Sequence, residues 1–452
     1  MTPPSPADVL VVGGGVAGLS CATRLAERGR RVVLVEARGR LGGRAASWVD
    51  PRMNAEIDNG PHLLAGTYRE LRSFFRRLAV DPWHGAERLR VALWSASPRR
   101  RHVLAWRRAP GRLGLALGFA QFGALSPGDA LRALSVVRAA PEAEQTSDRP
   151  LADWLASLGQ SAESRRWLWD PMARAVFNEE PAILSSRLFA MVVRRLLGED
   201  ARSAALLRPP VGLSRLYAEP AATYLSQRGS EVLTSWPVES VRCEADRFLL
   251  EGRSGVVAAR ALCLAIPAEP TVRLLGTDRA AHIPRLADAA RAEQAPLTTV
   301  HLWYQGAEAG LGEPFVGFVD EEFAWAFDQG PVPGRPLRQL ALVAPGSREL
   351  AGLTAPRLVR LARHVLDAHE PSFAQRTLHD ARVVKEPHAA PSLTPEAARS
   401  RPAVETPIPG LVLAGDWVDT GLPATLESAA WSGNRAADVL DSALRRDPPR
   451  GG

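Results

Sequence analysis

Residues 8–20 read Asp-Val-Leu-Val-Val-Gly-Gly-Gly-Val-Ala-Gly-Leu-Ser. Val9 to Val12 form a short β-rich apolar run, the pattern of a strand buried in a parallel sheet. Gly13, Gly15 and Gly18 then complete a Gly-x-Gly-x-x-Gly turn. From Leu19 the apolar period becomes helical, with Leu19, Ala22, Leu25 and Ala26 on one face. Gly29 closes the helix and Val32 to Val35 make a second strand, ending on Glu36. In a strand–turn–helix unit of this kind the first glycine permits the tight turn. The second lets backbone approach a pyrophosphate, and the third lets helix pack on strand. The helix N-terminus offers free N–H groups and the positive end of its dipole to the phosphates. An acid at the position of Glu36 suits a ribose diol. Residues 13–18, including Val16 and Ala17, are therefore the expected phosphate turn of a Rossmann-like α/β domain.

Directly after Glu36 come Ala37, Arg38 and the stretch RLGGRAAS at 40–47. A second glycine pair and an arginine so soon after the acid resemble the Arg-x-Gly-Gly-Arg segment of the FAD-dependent amine oxidase and phytoene desaturase superfamily. The resemblance implies FAD as the cofactor. Gly42 and Gly43 would let backbone pass close to it, with Arg44 near the pyrophosphate and ribityl chain. The segment EIDNGPHLL (56–64) contains the turn signal Asp58-Asn59-Gly60, followed by Pro61 and His62. In the superfamily it runs beside the isoalloxazine ring, so His62 either faces flavin or substrate or is a satisfied structural histidine. At the other end of the chain, LVLAGDWVDTGLPATLESAA (411–430) reads as strand, loop and helix. There the resemblance puts Gly415 and Asp416 at the ribityl hydroxyls. A helix beginning around Thr425 and Leu426 would aim its N–H groups at the flavin, where reduced flavin carries negative charge. Backbone near Val238 would lie close to the adenine.

The run Asp416-Trp417 with Asp419-Thr420-Gly421-Leu422-Pro423-Ala424-Thr425 is similar to the C-terminal signature of the hydroxysqualene dehydroxylases. Asp170-Pro171 through Asn178, Ser185 to Phe189, Gly212-Leu213-Ser214 and Pro220-Ala221 resemble the same group, and the likeness spans about residues 8 to 440. It implies reductive removal of an allylic hydroxyl from hydroxysqualene, giving squalene and water. Hydroxide leaves poorly, so a proton donor is expected. His62 and Asp419 are the candidate catalytic residues, with water or flavin as alternatives. Trp167, Trp169, Phe177, Phe189, Trp325 and Phe327 either line a tunnel for a long isoprenoid or are plain core. One departure concerns substrate. Near 385–391 the group leads one to expect a basic Lys-Arg-Ala-Thr-like stretch, and this chain has Lys385-Glu386-Pro387-His388-Ala389-Ala390-Pro391. A carotenoid-type desaturase is the alternative within the class. A non-catalytic flavin-bearing lipid-binding subunit is the alternative outside it.

The cofactor domain should be discontinuous, built from about 6–75, 212–270 and 405–445. The inserts 76–211 and 271–404 would form an α+β substrate domain, the first helical and the second with antiparallel strands at 298–305, 321–329 and 338–345. A helix is expected at 353–371, and 446–452 reads as a disordered tail. The 452 residues, 46% apolar and 23% charged, fit a globular chain. Three cysteines are too few for a disulfide framework or a Cys-based zinc site, and no metal is expected. The net charge is +7, and Lys385 is the only lysine. No basic run is interleaved with aromatics, so nucleic acid is a poor partner. Neither a Gly-x-Ser-x-Gly elbow nor a P-loop is present, which disfavours hydrolase and NTPase chemistry. No apolar run reaches the ~18 residues that span a bilayer, and no signal peptide is read at the N-terminus. A cytoplasmic protein is expected, acting on a lipophilic isoprenoid with an unidentified electron donor. Leu113 to Leu125 is almost free of charge and too short to span. It reads either as a buried core helix or as an interfacial segment in peripheral contact with the inner membrane face.

Overall fold

A computed structural model describes residues 7–83, 88–109, 112–244, 247–308 and 310–446. The Gly-rich turn grows out of the strand Ala7–Val12, which lies inside a seven-stranded sheet. On one side it pairs in parallel with Val32–Val35, and on the other with Gly255–Leu264. Gly255–Leu264 also pairs in parallel with Leu411–Leu413. The register sets Val12 opposite Val35 and Leu264, and Leu264 opposite Leu413. Four strands thus end at one edge and release Gly13, Glu36, Ala265 and Gly415 side by side. That carboxyl edge is where open parallel sheets bind ligands. The strands are buried along their apolar residues, as β-rich runs covered on both faces must be.

The helix Val16–Glu27 covers this sheet and packs against the long C-terminal helix Leu426–Arg446. The two helices touch at backbone distance, since a Cβ on Gly433 would lie 2.1 Å from the Ala17 carbonyl oxygen. Around that contact the Ser20 hydroxyl donates to Asn434 (2.9 Å), and Arg24 and Arg30 pair with Asp438 and Asp441. The two ends of the chain therefore form one layer.

A second seven-stranded sheet is built from Leu378–Pro391, Gln294–Gln305, Leu337–Pro345, Trp325–Pro331, Phe315–Phe318, Arg90–Ala96 and Arg99–Ala105, in that spatial order. The expected strand at 321–329 begins only at Trp325, after a turn through Asp320 at φ 65°. The helix expected at 353–371 runs Ala355–His369 and stops before Pro371. The first insert is not wholly helical. It opens with the hairpin 90–105, which pairs in parallel with Phe315–Phe318 through Val316 and Ala92. Its outer strand carries Arg99, Arg100 and Arg101, a charged edge that resists pairing with another chain and masks the strand's alternation.

The remainder of that insert is helical over Pro127–Ala143, Leu151–Ser157, Asp170–Phe177 and Ser186–Leu197. Two turns widen to π geometry, Arg165–Trp169 and Ser214–Ala218. Each is followed two residues later by a proline, Pro171 and Pro220. A proline has no N–H to donate and its ring crowds the carbonyl one turn back, and the wider turn relieves both problems. The tail expected at 446–452 falls, beyond Arg446, outside the described residues.

Candidate cofactor and active site

The carboxyl edge of the first sheet opens into a cavity of about 490 Å³ that continues beneath the second sheet. Gly13, Gly15, Val16, Ala17, Glu36 and Arg38 line one end. Gly42, Gly43, Arg44, Pro61 and His62 continue the wall. Gly415, Asp416, Thr425 and Leu426 close it from the C-terminal segment. Most of the residues singled out for the cofactor, from opposite ends of the chain, thus share one crevice.

The local geometry explains the glycines individually. Gly13 adopts φ +107°, and a Cβ there would lie 2.4 Å from the Ala265 carbonyl oxygen. Gly18 does not line the cavity. A Cβ on it would fall 1.9 Å from the Gly13 carbonyl oxygen, so its bare Cα seats helix on strand. Gly15 differs from both. It has ordinary backbone (φ −81°), and a Cβ would find only the Gly43 Cα, at 3.9 Å. It faces open crevice, a cradle that a side chain would fill. Glu36 accepts from the Gly14 N–H (2.7 Å) and the Arg38 N–H (2.8 Å), which fixes its carboxylate at the cavity rim. Arg44 donates to the Ala389 carbonyl (2.9 Å) and to Asp416 (2.5 Å), tying residue 44 to both the 385–391 strand and the C-terminal loop. That departure from the expected basic stretch therefore sits against the site, with Ala389 and Ala390 in the lining.

Several of the candidate residues stand off the cavity lining. Ala37, Gly60 and Val238 are not among the cavity-lining residues. Val238 begins the strand that pairs with Gly252 and follows Trp236, whose backbone N–H donates to the Glu36 carbonyl (2.9 Å), so it stands next to the Glu36 end of the crevice without lining it. Gly60 lies under the wall instead, where a Cβ would meet Leu297 at 2.4 Å. Asp419 is also outside the lining. Its carboxylate accepts from the Gly421 N–H (3.2 Å) and pairs with the buried Arg401 (3.4 Å). Arg401 also donates to the Leu422 carbonyl (2.7 Å). Asp419 thus shapes the loop whose Leu422, Pro423 and Ala424 line the cavity, and it presents no acid to it.

His62 does line the cavity, but in a particular state. Burial holds its imidazole below the usual histidine range, and the nearby Arg44 charge acts in the same direction. Nδ1 lies 2.6 Å from the Gly60 carbonyl oxygen, which can only accept. Nδ1 therefore carries the proton, and Nε2 is left as an acceptor. His62 in this arrangement takes a proton more readily than it gives one.

The aromatic expectation divides. Trp325 and Phe327 line the cavity. Trp167, Trp169, Phe177 and Phe189 belong to the same apolar core as Trp325 and Phe327 but are buried behind the lining, with the Trp169 indole donating to Gln160 (2.8 Å). On the same helical stretch Leu168, Pro171, Met172 and Ala175 face the cavity instead. Their spacing of three to four residues is one helix face, and the bulky rings occupy the other. Leu89, Val91, Leu93 and Leu104 of the hairpin and Met191, Val192 and Leu196 complete an apolar chamber. Tyr68, Thr67 and Arg195 add polar groups that the motifs did not signal.

Beside this wall, Asp58 accepts from the Ser47 hydroxyl (2.5 Å) and the Leu213 N–H (3.4 Å). Desolvation pushes its carboxyl group up to about 6, with Glu56 adding repulsion, against the pull of those hydrogen bonds. A folded-state pKa above the unfolded value means that the native state holds the proton more tightly. The group's contribution to stability is then fully present below about pH 4 and is lost as pH rises through about 6. Asp58→Asn removes this dependence. Its thermal midpoint, relative to the unmodified protein, is expected to rise between pH 4 and 7, by no more than about 3 kcal/mol in stability. Parallel melting curves across that range would show that Asp58 does not titrate there.

Comparison with known proteins agrees with this geometry. The family model for flavin containing amine oxidoreductases matches residues 16–441. A hydroxysqualene dehydroxylase of Rhodopseudomonas palustris is 28% identical, over 97% of this chain and 99% of its own. A 15-cis-phytoene desaturase of Glycine max is 22% identical, over 97% of this chain and 80% of its own. Among solved structures, cyclohexylamine oxidase from Brevibacterium oxydans superposes with a TM-score of 0.72 at 18% identity, covering 98% of this chain and all of the other. At that identity the superposition speaks for the fold.

Proposed function

The chain belongs to the flavin containing amine oxidoreductase family and is an FAD-dependent oxidoreductase, and from that premise we propose that it removes the allylic hydroxyl of hydroxysqualene to give squalene. The observation that carries the reading is the continuity of the glycine-lined crevice with a chamber walled by Leu, Val, Met, Trp and Phe. Such a chamber suits a long isoprenoid chain, and full-length likeness to a hydroxysqualene dehydroxylase supports hydroxysqualene as its occupant.

The residues fit FAD. Gly15 leaves the space a pyrophosphate requires, and the N-terminus of the helix from Val16 supplies donors. Glu36 would accept hydrogen bonds from a ribose, and the Arg44–Asp416 pair would hold the ribityl chain. The helix from Leu426 directs its N-terminus at the crevice and favours negative charge on the ring system. When bound and fully reduced, FAD would supply a hydride to the carbon that loses oxygen and a proton to the hydroxyl, which leaves as water, and would itself be left oxidised. The rest of the task falls to the chain: binding an apolar substrate, excluding water and orienting one polar group.

Trp325 is suited to the last of these. Among the described cavity-lining residues, its Nε1 is the only buried side-chain polar atom without a hydrogen-bond partner in the chain. A donor left unpaired behind an apolar wall is costly, and a substrate hydroxyl would satisfy it once a small turn of the ring exposes the nitrogen, which is closed to solvent in this structure. Trp325→Phe keeps the ring and deletes the donor. KM for the alcohol is expected to rise about tenfold, while inhibition by squalene, which has no hydroxyl, changes less than about twofold. Equal effects on both ligands would assign Trp325 to packing.

The assay for the reading itself uses holoprotein reduced anaerobically, incubated with hydroxysqualene and analysed for squalene by mass. Phytoene with oxidised holoprotein is the companion reaction, because the phytoene desaturase relative keeps that chemistry in view. Squalene in the first assay supports the proposal. Desaturated carotenoid in the second, with no squalene in the first, would replace it with the desaturase reading.

A further inference from the structure

We propose that the face carrying Arg107, Arg108, Arg112, Leu113, Leu117 and Leu131 docks this protein on an anionic lipid bilayer. The segment Leu113–Leu125 divides by face rather than lying wholly buried. In the helix Leu113–Ala120, Gly114 and Gly118 press on the strand before it. A Cβ on them would lie 2.5 Å from the Arg107 carbonyl oxygen and 2.4 Å from the Ala105 carbonyl oxygen. Leu115, Phe119 and Phe122 are buried on that side. Leu113 and Leu117, one turn apart on the other face, are 56% and 37% exposed, and Leu131 at the start of the next helix is 71% exposed. These are three of the six large hydrophobic residues exposed among the described residues, carried on two helices that pack together, and apolar exposure concentrated in this way marks an interaction surface.

Charge selects the partner. From Arg88 to Gly128 the sequence has eight arginines and no Asp or Glu. Arg90 and Arg101 are paired with Glu313 and Glu370. Arg107, Arg108 and Arg112 are exposed beside the leucines and take part in no ion pair among the described residues. Leucines flanked by unpaired arginines match an interfacial layer with anionic headgroups, where apolar burial and counter-charge add. No helix among the described residues is long and apolar enough to cross a membrane, so the contact is peripheral.

The place of this face in the fold gives it a use. The glycine face packs on the strand whose Leu104 lines the chamber. Arg112 donates to the Gly198 carbonyl (3.0 Å), at the end of the helix whose Met191, Val192 and Leu196 also line it. A hydrocarbon dissolved in the bilayer would reach the chamber along this side. That last step rests on the proposed function, whereas the docking face stands on exposure and charge alone.

The test is co-sedimentation of the FAD-loaded protein, without substrate, with phosphatidylcholine vesicles that contain or lack phosphatidylglycerol. Binding is expected only to the anionic vesicles and should weaken when salt rises from about 0.1 to 0.5 M. The triple variant Leu113→Gln, Leu117→Gln, Leu131→Gln should bind at least about tenfold more weakly. Arg107→Gln with Arg108→Gln should reduce the salt dependence. Both variants should turn over detergent-dispersed substrate at the unmodified rate, since none of these residues lines the cavity. Failure of the unmodified protein to bind, or equal binding by the leucine variant, overturns the proposal. So does a dimer in sedimentation equilibrium that the leucine changes dissociate, because the face would then belong to a second copy. Since no turnover enters the binding assay, failure of the squalene assay leaves this result standing, and the reverse.

Discussion

Gly15→Val is expected to give a folded, colourless protein. Its backbone angles are those any residue adopts, and a Cβ there meets no protein atom nearer than 3.9 Å. The apoprotein should therefore tolerate the side chain. What the branched methyls occupy is the space into which the pyrophosphate must come. Displacing the phosphates from the helix N-terminus forfeits several charge-assisted hydrogen bonds together, so FAD affinity is expected to fall by about a thousandfold or more, near 4 kcal/mol. Gly18→Ala is the control with the opposite signature. Its Cβ would sit 1.9 Å from the Gly13 carbonyl oxygen, so helix and strand must separate whether or not FAD is present. That variant should lose about 3 kcal/mol of fold stability. Flavin absorbance after desalting and the melting midpoint by circular dichroism distinguish the two. A yellow Gly15→Val protein with full flavin content would mean that the phosphates lie elsewhere.

The contrast between those two glycines also shows what a sequence can reveal. The turn at 13–18 is legible because each glycine answers a local backbone demand, and the pattern of strand, turn and helix surrounds it within a few dozen residues. The C-terminal half of the crevice is legible for the same reason, with a strand, Gly415 and a helix start in close succession. The chamber is not legible in this way. Its lining comes from many elements, and which face of a helix looks inward is decided by packing. In residues 165–178 the tryptophans drew attention, but they fill the core, and Leu168, Met172 and Ala175 face the cavity. A π turn shifts the angular phase at that point, which a regular 3.6-residue period cannot anticipate. The strand Arg99–Ala105 was hidden by its arginines, which occupy an edge where charge is tolerated. Asp419 looked like an acid in a signature, but its partner Arg401 is 18 residues away in sequence and no motif joins them.

The second large effect is expected at Glu427, whose side chain ties the start of the C-terminal helix to the start of the helix Arg69–Arg77. Its carboxylate lies in the first turn of the C-terminal helix and accepts three backbone N–H groups at the start of the helix Arg69–Arg77. These are Arg69 (2.8 Å), Glu70 (3.0 Å) and Leu71 (2.9 Å). The first N–H groups of a helix have no partners within it, so a buried helix start needs acceptors from elsewhere. A carboxylate meets the need doubly, since its charge also complements the helix dipole. Burial pushes the Glu427 carboxyl group up and the neighbouring Glu70 charge adds to it, while the three N–H donors oppose that push. Glu427→Ala leaves those donors without this acceptor and opens a space in the cavity wall. The expected loss is about 3–5 kcal/mol of stability, with release of FAD because Glu427 also lines the crevice. Glu427→Gln keeps one carbonyl oxygen and no charge, so it should fall about midway in denaturant midpoint. If the helix Arg69–Arg77 were held mainly by its apolar contacts through Leu71, Phe74 and Phe75, Ala and Gln would behave alike and retain flavin. A graded loss from Glu through Gln to Ala, with flavin released in step with it, is the outcome that assigns the joint to this carboxylate.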